Sequence, residues 1–169
     1  MNPLLRSVVL NSLLATVLFA FSINDDHKEN HYASVEIDLN SLERNDWKLS
    51  HKILGEINSY REQKKLTALN KDTLFASVYA LRHCDYMKES NVVNHDFFFI
   101  RKQGLTNLGA KTVGEIIAYG YPNSSSVVSA WIRSDSHRKI VEGDYTHFGI
   151  GIAKDDLNRN YYTLLLYKK

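Results

Sequence analysis

The sequence predicts an α+β sandwich, with helices laid around a small antiparallel sheet. Three observations carry that reading. Apolar residues recur at helical spacing over about 50–65 and 72–90, and again from Val127 to Trp131. Phe148-Gly-Ile150-Gly-Ile152 alternates large and small side chains, and Tyr161 to Tyr167 is strongly β-prone. The turn-rich segment Asp155 to Asn160 joins these two strands into an antiparallel hairpin. A chain of 169 residues accommodates one such domain and a short extra segment.

The extra segment lies at the N-terminus. Met1 to Arg6 supplies a short positive start, and Ser7 to Ile23 is uncharged and mostly apolar. Ala20-Phe21-Ser22 is a small-x-small pattern, followed by the polar exit Asn24-Asp25-Asp26. This is the layout of a secretory signal peptide over residues 1–22, and it predicts a secreted or extracytoplasmic protein. The alternative is an uncleaved membrane anchor through residues 7–23, a run near the lower length limit for spanning and weakened by Asn11 and Ser12. Residues 23–48 read as a polar linker without sustained period. His27 and His31 stand four apart within it, but no apolar face supports a helix there, so they read as solvated. The folded domain is expected over 49–169.

In the first helix Ile53, Leu54, Ile57, Tyr60 and Arg61 share one side, with Ser50 as its expected N-cap. Leu66 and Leu69 follow in a non-helical connection. Asp72 caps a second helix reaching Ser90, whose inward face is Leu74, Ser77, Val78, Leu81, Cys84 and Met87-Lys88; Asn91 ends it. His95 falls in the next loop. Phe97-Phe98-Phe99 cannot all face one core, so they form an exposed apolar wall or a turn that buries two of them. Residues 101–114 read as loop with about one helical turn. Glu115 then precedes an apolar run, where a carboxylate either faces solvent or is held by partners. Pro122 to Ser126 offers several N-caps for a helix whose apolar positions are Val127, Val128, Ala130 and Trp131. Ser134-Asp135-Ser136 ends that helix and caps a short one over about 137–142.

Composition removes some function classes. The net charge of +2 and the scattered basic residues give no electrostatic case for a nucleic-acid partner. One cysteine, Cys84, rules out an internal disulfide framework and a cysteine-rich zinc site, and reads as a small buried helix residue. Ser136 to Lys139 matches S-x-x-K by letters, but its partner motifs are missing, and there is no G-x-S-x-G elbow.

The chemistry concentrates in His95, Glu115 and His137, which stand about twenty residues apart in separate loop or helix-end contexts. Two imidazoles and a carboxylate can hold a divalent metal, with a position left open for water in hydrolytic sites. The carboxylate can instead hydrogen-bond one imidazole and fix its tautomer. A Ser134/His137/Glu115 nucleophilic triad is a third arrangement. Spacing alone does not choose among them. His83 reads as a structural core residue and His147 as a surface residue. Tyr119, Tyr121, Tyr161, Tyr162 and Tyr167 read as sheet and core.

The order of motifs resembles the CAP superfamily, also called SCP-like, which spans cysteine-rich secretory proteins, antigen-five allergens and plant pathogenesis-related proteins. The likeness is to its compact, cysteine-poor bacterial branch and covers about residues 50–167. Leu54-Gly-Glu56-Ile57-Asn58-Ser-Tyr60-Arg61 opens it, followed by Leu66-x-x-Leu69 and by Ala80, His83 and Met87 on the second helix. His95 stands where the family carries its first cleft histidine. Gly114-Glu115-Ile116 is similar to G-E-N, and Trp131-x-x-Ser134-x-Ser136-His137-Arg138 is similar to W-x-x-S-x-G-H-R. Phe148-Gly-Ile-Gly-Ile152 resembles the following V-G-V-G strand.

The resemblance implies a three-layer α-β-α sandwich and an extracellular binding module with a ligand cleft of His95, Glu115, Ser134 and His137. His95 and His137 would hold a divalent cation, zinc or magnesium. A lipid, peptide or cell-envelope component is the expected partner of a monomer that meets a membrane only through its N-terminal segment. The alternatives are a metal-dependent hydrolase using the same cleft, with Glu115 as ligand or water activator, and a purely structural domain; no other catalytic residue is assigned. Three positions depart from the pattern. Ile116 replaces Asn, Ser136 replaces Gly, and Ser134 stands where eukaryotic members carry a second acid. Asp135 is adjacent, but a shift of one residue at a helix end turns a side chain by roughly 100°.

Overall fold

The computed structural model describes residues 39–169; the expected export signal, His27, His31 and the first part of the linker lie outside them. A short 3-10 helix, Leu39–Arg44, leads into α1 (Trp47–Gln63), β1 (Asn70–Lys71) and α2 (Phe75–Ser90). Then come α3 (Phe98–Asn107), β2 (Thr112–Tyr119), α4 (Ser124–Arg133), α5 (Asp135–Val141), β3 (His147–Lys154) and β4 (Asn160–Lys168). The four strands form one sheet in the order β1-β3-β4-β2. The predicted hairpin is present as the antiparallel β3–β4 pair. The sheet as a whole is mixed, because the two-residue β1 runs parallel to β3.

Strand alternation builds the layers. Ile116 and Ala118 on β2, Phe148, Ile150 and Ile152 on β3, and Tyr162, Leu164 and Leu166 on β4 face one side. There they pack with Ile53 and Ile57 of α1 and Val127, Val128 and Trp131 of α4. Ile117, Ala153 and Tyr161 face the other side and meet Leu81, Cys84 and Met87 of α2. The result is the expected α-β-α sandwich. Close approach of α2 depends on two glycines in β3. A Cβ on Gly149 would lie 2.3 Å from the Ala76 Cβ, and one on Gly151 would lie 2.2 Å from the Leu81 backbone nitrogen.

Several boundaries differ from the sequence reading. Residues 39–48, assigned to the linker, belong to the fold. The Asn45 side chain donates to the Ile150 carbonyl at 2.9 Å and accepts from the Ile152 N–H at 2.9 Å, so this polar segment is tied to β3. Asp46, not Ser50, caps α1 by accepting from Leu49 N–H, and Ser50 is buried inside the helix. Leu74 is not an inward residue, since it stands before the first turn of α2 and is 40% exposed; nor is Lys88, whose ammonium turns out to pair with Asp85 at 3.6 Å. Asp72 does accept from the N–H groups of Leu74 and Ala76, and Asn91 ends α2 in the left-handed conformation.

The larger corrections concern residues 98–119. The stretch read as loop contains the ten-residue α3, and the apolar run after Glu115 is the edge strand β2. Cys84 is buried against the Gly151 carbonyl and Thr163 Oγ1, and burial pushes its thiol up to about 12, which makes it inert.

Candidate functional site

The loop between α2 and α3 carries His95, and every turn of it is held. His83 of α2 donates its Nε2–H to the Asn94 carbonyl at 2.8 Å. Tyr86 of α2 donates to Asp96 Oδ2 at 2.8 Å, and Asn94 donates to the same oxygen at 2.7 Å. The Asn94 side-chain oxygen takes the Asp96 N–H, closing an Asx turn. Phe97 then adopts φ 59°, a costly conformation for a bulky residue, and its ring packs edge-on against Tyr86 at 5.3 Å. Of the aromatic triplet, Phe97 and Phe98 are half-buried and Phe99 is 68% exposed. Val92 and Val93, just before His95 in the chain, and Phe99, just after it, are all exposed.

Glu115 sits on β2 with its side chain 1% exposed. Alternation turns it toward the α2 and α3 side, opposite Ile116, which fills the main core in place of the family asparagine. Arg101 of α3 neutralises the carboxylate. Its Nε donates to Oε2 at 2.5 Å and its Nη2 to Oε1 at 2.7 Å, while Nη1 reaches the Asp96 carbonyl at 2.8 Å. A carboxylate held this way is an acceptor only, so His95 must donate its Nδ1–H to Oε1, at 2.8 Å. The tautomer follows, and the Nε2 lone pair of the half-exposed imidazole is left for a ligand.

His137 lies in the first turn of α5, on the far side of β2. Its approach depends on Gly114, since a Cβ there would lie 2.9 Å from Ile140 Cγ2 and 2.6 Å from the Tyr145 hydroxyl. The Trp131 indole N–H donates to the Ile117 carbonyl at 3.1 Å and ties α4, the helix leading into α5, to the same edge strand. Burial holds the His137 imidazole below its ordinary value, and the charge of His95 lowers it further. Among the described residues His137 makes no hydrogen bond or ion pair.

The fold therefore joins His95 directly to Glu115 by a hydrogen bond, while the His137 side chain makes no hydrogen bond to either. Ser134 is the N-cap residue of α5 and shares a hydrogen bond with Ser136 at 3.1 Å, not with His137. That leaves the nucleophilic triad without its serine–histidine contact. Asp135 turns to Arg138 at 2.6 Å and to solvent. Among the described residues no group of three or more His, Cys, Asp or Glu side chains is placed to hold a metal ion. Both Glu115 oxygens are engaged, so the available metal donors are two imidazoles, and these suit zinc better than magnesium. Arg101 escaped the sequence reading; the only signal was that a buried acid at position 115 required a cation.

An α-β-α sandwich with a carboxylate-oriented histidine beside its edge strand points to an SCP-like domain. The cysteine-rich secretory protein (CAP) family profile matches residues 54–167, and the chain belongs to that family. Over 119 residues, 66% of this chain, it is 34% identical to the membrane protein YlbC of Bacillus subtilis. It spans 32% of that relative's length. Among solved structures, an extracellular protein containing an SCP domain from Bacillus anthracis superposes with a TM-score of 0.64 at 24% identity, covering 74% of this chain and 41% of that one. An outer surface protein from Borrelia burgdorferi gives 0.65 at 22% identity, covering 72% and 93%. Among the described residues no helix is long and apolar enough to cross a membrane.

Proposed function

We propose that this chain is an extracytoplasmic binding domain whose cleft holds a divalent cation, zinc by preference, between His95 Nε2 and His137. The rest of the coordination sphere is left to a cell-envelope ligand. One observation carries the reading: both Glu115 oxygens are held, by Arg101 and His95, so the carboxylate orients an imidazole and is committed before any water arrives. Ser134, at the mouth of α5, supplies a neutral hydroxyl where a further acid would have completed a stronger metal site. The exposed Val92, Val93 and Phe99, near His95 in the chain, favour a ligand with an apolar portion, such as a lipid or a hydrophobic peptide. The relatives described as extracellular and outer-surface proteins support an envelope location.

Hydrolysis is the lesser reading, because catalytic zinc sites take three protein ligands and an activating base. Calorimetric titration of the full chain with Zn²⁺ separates these outcomes. His95→Ala and His137→Ala should each weaken uptake about tenfold or more, and Glu115→Gln should weaken it by roughly 10–100-fold through lost orientation. Uptake unchanged by both histidine substitutions refutes the cation site. Zinc-dependent turnover of a peptide, ester or peptidoglycan substrate moves the assignment to the hydrolase.

A further inference from the structure

A cavity of about 350 Å³ lies where the end of α3 meets the start of α2, and it shares no residue with the histidine cleft. Its apolar walls are Leu74 and Phe75 from the start of α2 and Leu105 and Leu108 from the end of α3. His147 and Tyr167 form the floor. They lie on the face of the sheet that α2 covers, because each stands an even number of residues along its strand from Ala153 or Tyr161, which pack on α2. The two rings stack with centroids 4.9 Å apart. His147, read from the sequence as a surface residue, is half-buried here. Leu74, 40% exposed and without a place in the core, stands at the mouth.

The lining offers no net charge. Lys71 contributes to the wall, but its ammonium is held over the Trp47 ring at 4.7 Å, on the other face of the sheet. Asp72 is committed: it accepts from Leu74 N–H at 2.8 Å, from Ala76 N–H at 3.2 Å and from the Tyr167 hydroxyl at 2.8 Å. Lys169 balances it. The polar feature that remains is His147. Its Nδ1 lies 2.8 Å from Thr146 Oγ1, which also accepts the Lys169 N–H at 3.0 Å and donates to the Tyr167 carbonyl at 3.4 Å. A hydroxyl has one hydrogen. With that hydrogen on the Tyr167 carbonyl, the contact with His147 requires Nδ1–H to donate. In the neutral imidazole Nε2 is then a bare lone pair, and it has no hydrogen-bond partner among the described residues.

We infer that this cavity is a second ligand site, for a compact neutral molecule with an apolar body and one O–H donor. The donor would meet His147 Nε2, and the body would lie against Leu74, Leu105 and Leu108. The volume falls at the small end of the ~300–1,000 Å³ range of ligand pockets, which suits a single ring or a short chain. Phenols and aliphatic alcohols share the required chemistry. An anion does not, because it would set its charge against a lone pair beside Asp72.

The probes are 4-propylphenol and 1-octanol as donors, 4-propylanisole as the ring without a donor, and 4-propylbenzoate as the anion. Each is titrated into the full chain and followed by amide chemical-shift changes. The donors should produce saturable shifts at Leu74, Leu108 and His147, with the tighter of the two distinguishing ring from chain. The anisole and the benzoate should each bind about five- to tenfold more weakly than the better donor, or not at all. The imidazole nitrogen resonances of His147 above neutral pH should show the proton on Nδ1. His147→Phe keeps a ring over Tyr167 and removes the lone pair, so it should weaken the donors about five- to tenfold and leave the anisole unchanged. Leu74→Asp, at the exposed mouth, should weaken the donors about tenfold. The double variant His95→Ala/His137→Ala should leave them unchanged, which separates this site from the cation cleft. The inference is overturned if neither donor saturates, if the anisole or the benzoate binds as tightly as the better donor, or if Nε2 carries the proton. It is equally overturned if His147→Phe or Leu74→Asp leaves donor binding unchanged, or if the double histidine variant abolishes the shifts.

Discussion

Arg101 and Glu115, fourteen residues apart in sequence, form a two-point ion pair in which the side chains are 7% and 1% exposed. This pair joins α3 to the sheet and sets the charge beneath His95. Removing one partner strands the other in a dry environment. Arg101→Met should therefore destabilise the domain by about 3–5 kcal/mol. The double variant Arg101→Met/Glu115→Gln should recover much of that loss, because no buried charge remains. Urea unfolding of the two variants checks this, and equal losses from both would show that packing, not charge, dominates.

The same pair explains what the sequence could and could not show. The contact of His95 with Glu115 was legible because each residue is chemically distinctive and sits in a recognisable motif. Arg101 was not, since its partner lies across a helix that residue patterning concealed. In α3, Gly104, Thr106 and Asn107 are weak helix formers, and Phe98 to Ile100 obscures the apolar period. Tertiary contacts supply that helix: Leu105 is buried, and Arg101 is locked on Glu115. β2 was obscured differently. It is buried on both faces, so it shows a continuous apolar run and no alternation. The hairpin of β3 and β4 needed no such help, because its glycine alternation records the approach of α2 directly.

Stability should fall as pH is lowered from 7 to 5. Burial, and next the charge of Arg101, holds the His83 imidazole below its ordinary value; burial and then His95 do the same for His137. Below about 6.5 the unfolded chain takes up protons that the folded chain resists, so this stability is complete above 6.5 and is lost on acidification. His83 contributes at most about 1.4 kcal/mol per pH unit. His83→Gln keeps a donor for the Asn94 carbonyl and removes the titration. Melting temperatures across this range should decline less steeply for the variant, and identical slopes would remove His83 from the account.

Gly151 is the tightest point of contact between β3 and α2. A Cβ there meets backbone atoms of Ala80 and Leu81 at 2.2–2.3 Å, and helix backbone cannot swing aside as a side chain can. Gly151→Ala should cost roughly 3 kcal/mol or more, at the upper end of overpacking effects. Gly55→Ala is the control, because its Cβ meets nothing within 4 Å and a helical glycine gives way to a better helix former. Thermal unfolding should show loss for the first and a gain of roughly 0.5–1 kcal/mol for the second.

Arg61 bears on His137 from the other end of α5. Its Nη1 donates to the carbonyls of Val141 at 2.6 Å and Gly143 at 2.9 Å, its Nη2 to Tyr145 at 3.3 Å, and its Nε to Thr67 at 2.9 Å. The buried guanidinium thereby caps the last turn of α5 and fixes the chain that leaves it. A seven-residue helix is too short to hold itself, so its position depends on this clamp and on Trp131 at its entry. Lysine cannot reproduce the fork, and at least two of the four carbonyls would lose a donor. Arg61→Lys should cost roughly 2–6 kcal/mol, at about 1–3 kcal/mol for each of two buried carbonyls left unpaired. It should also weaken zinc uptake several-fold, although Arg61 touches none of the cleft residues. Urea unfolding and calorimetry on one preparation read both effects. A stability loss with zinc affinity intact would mean that α4 alone positions His137.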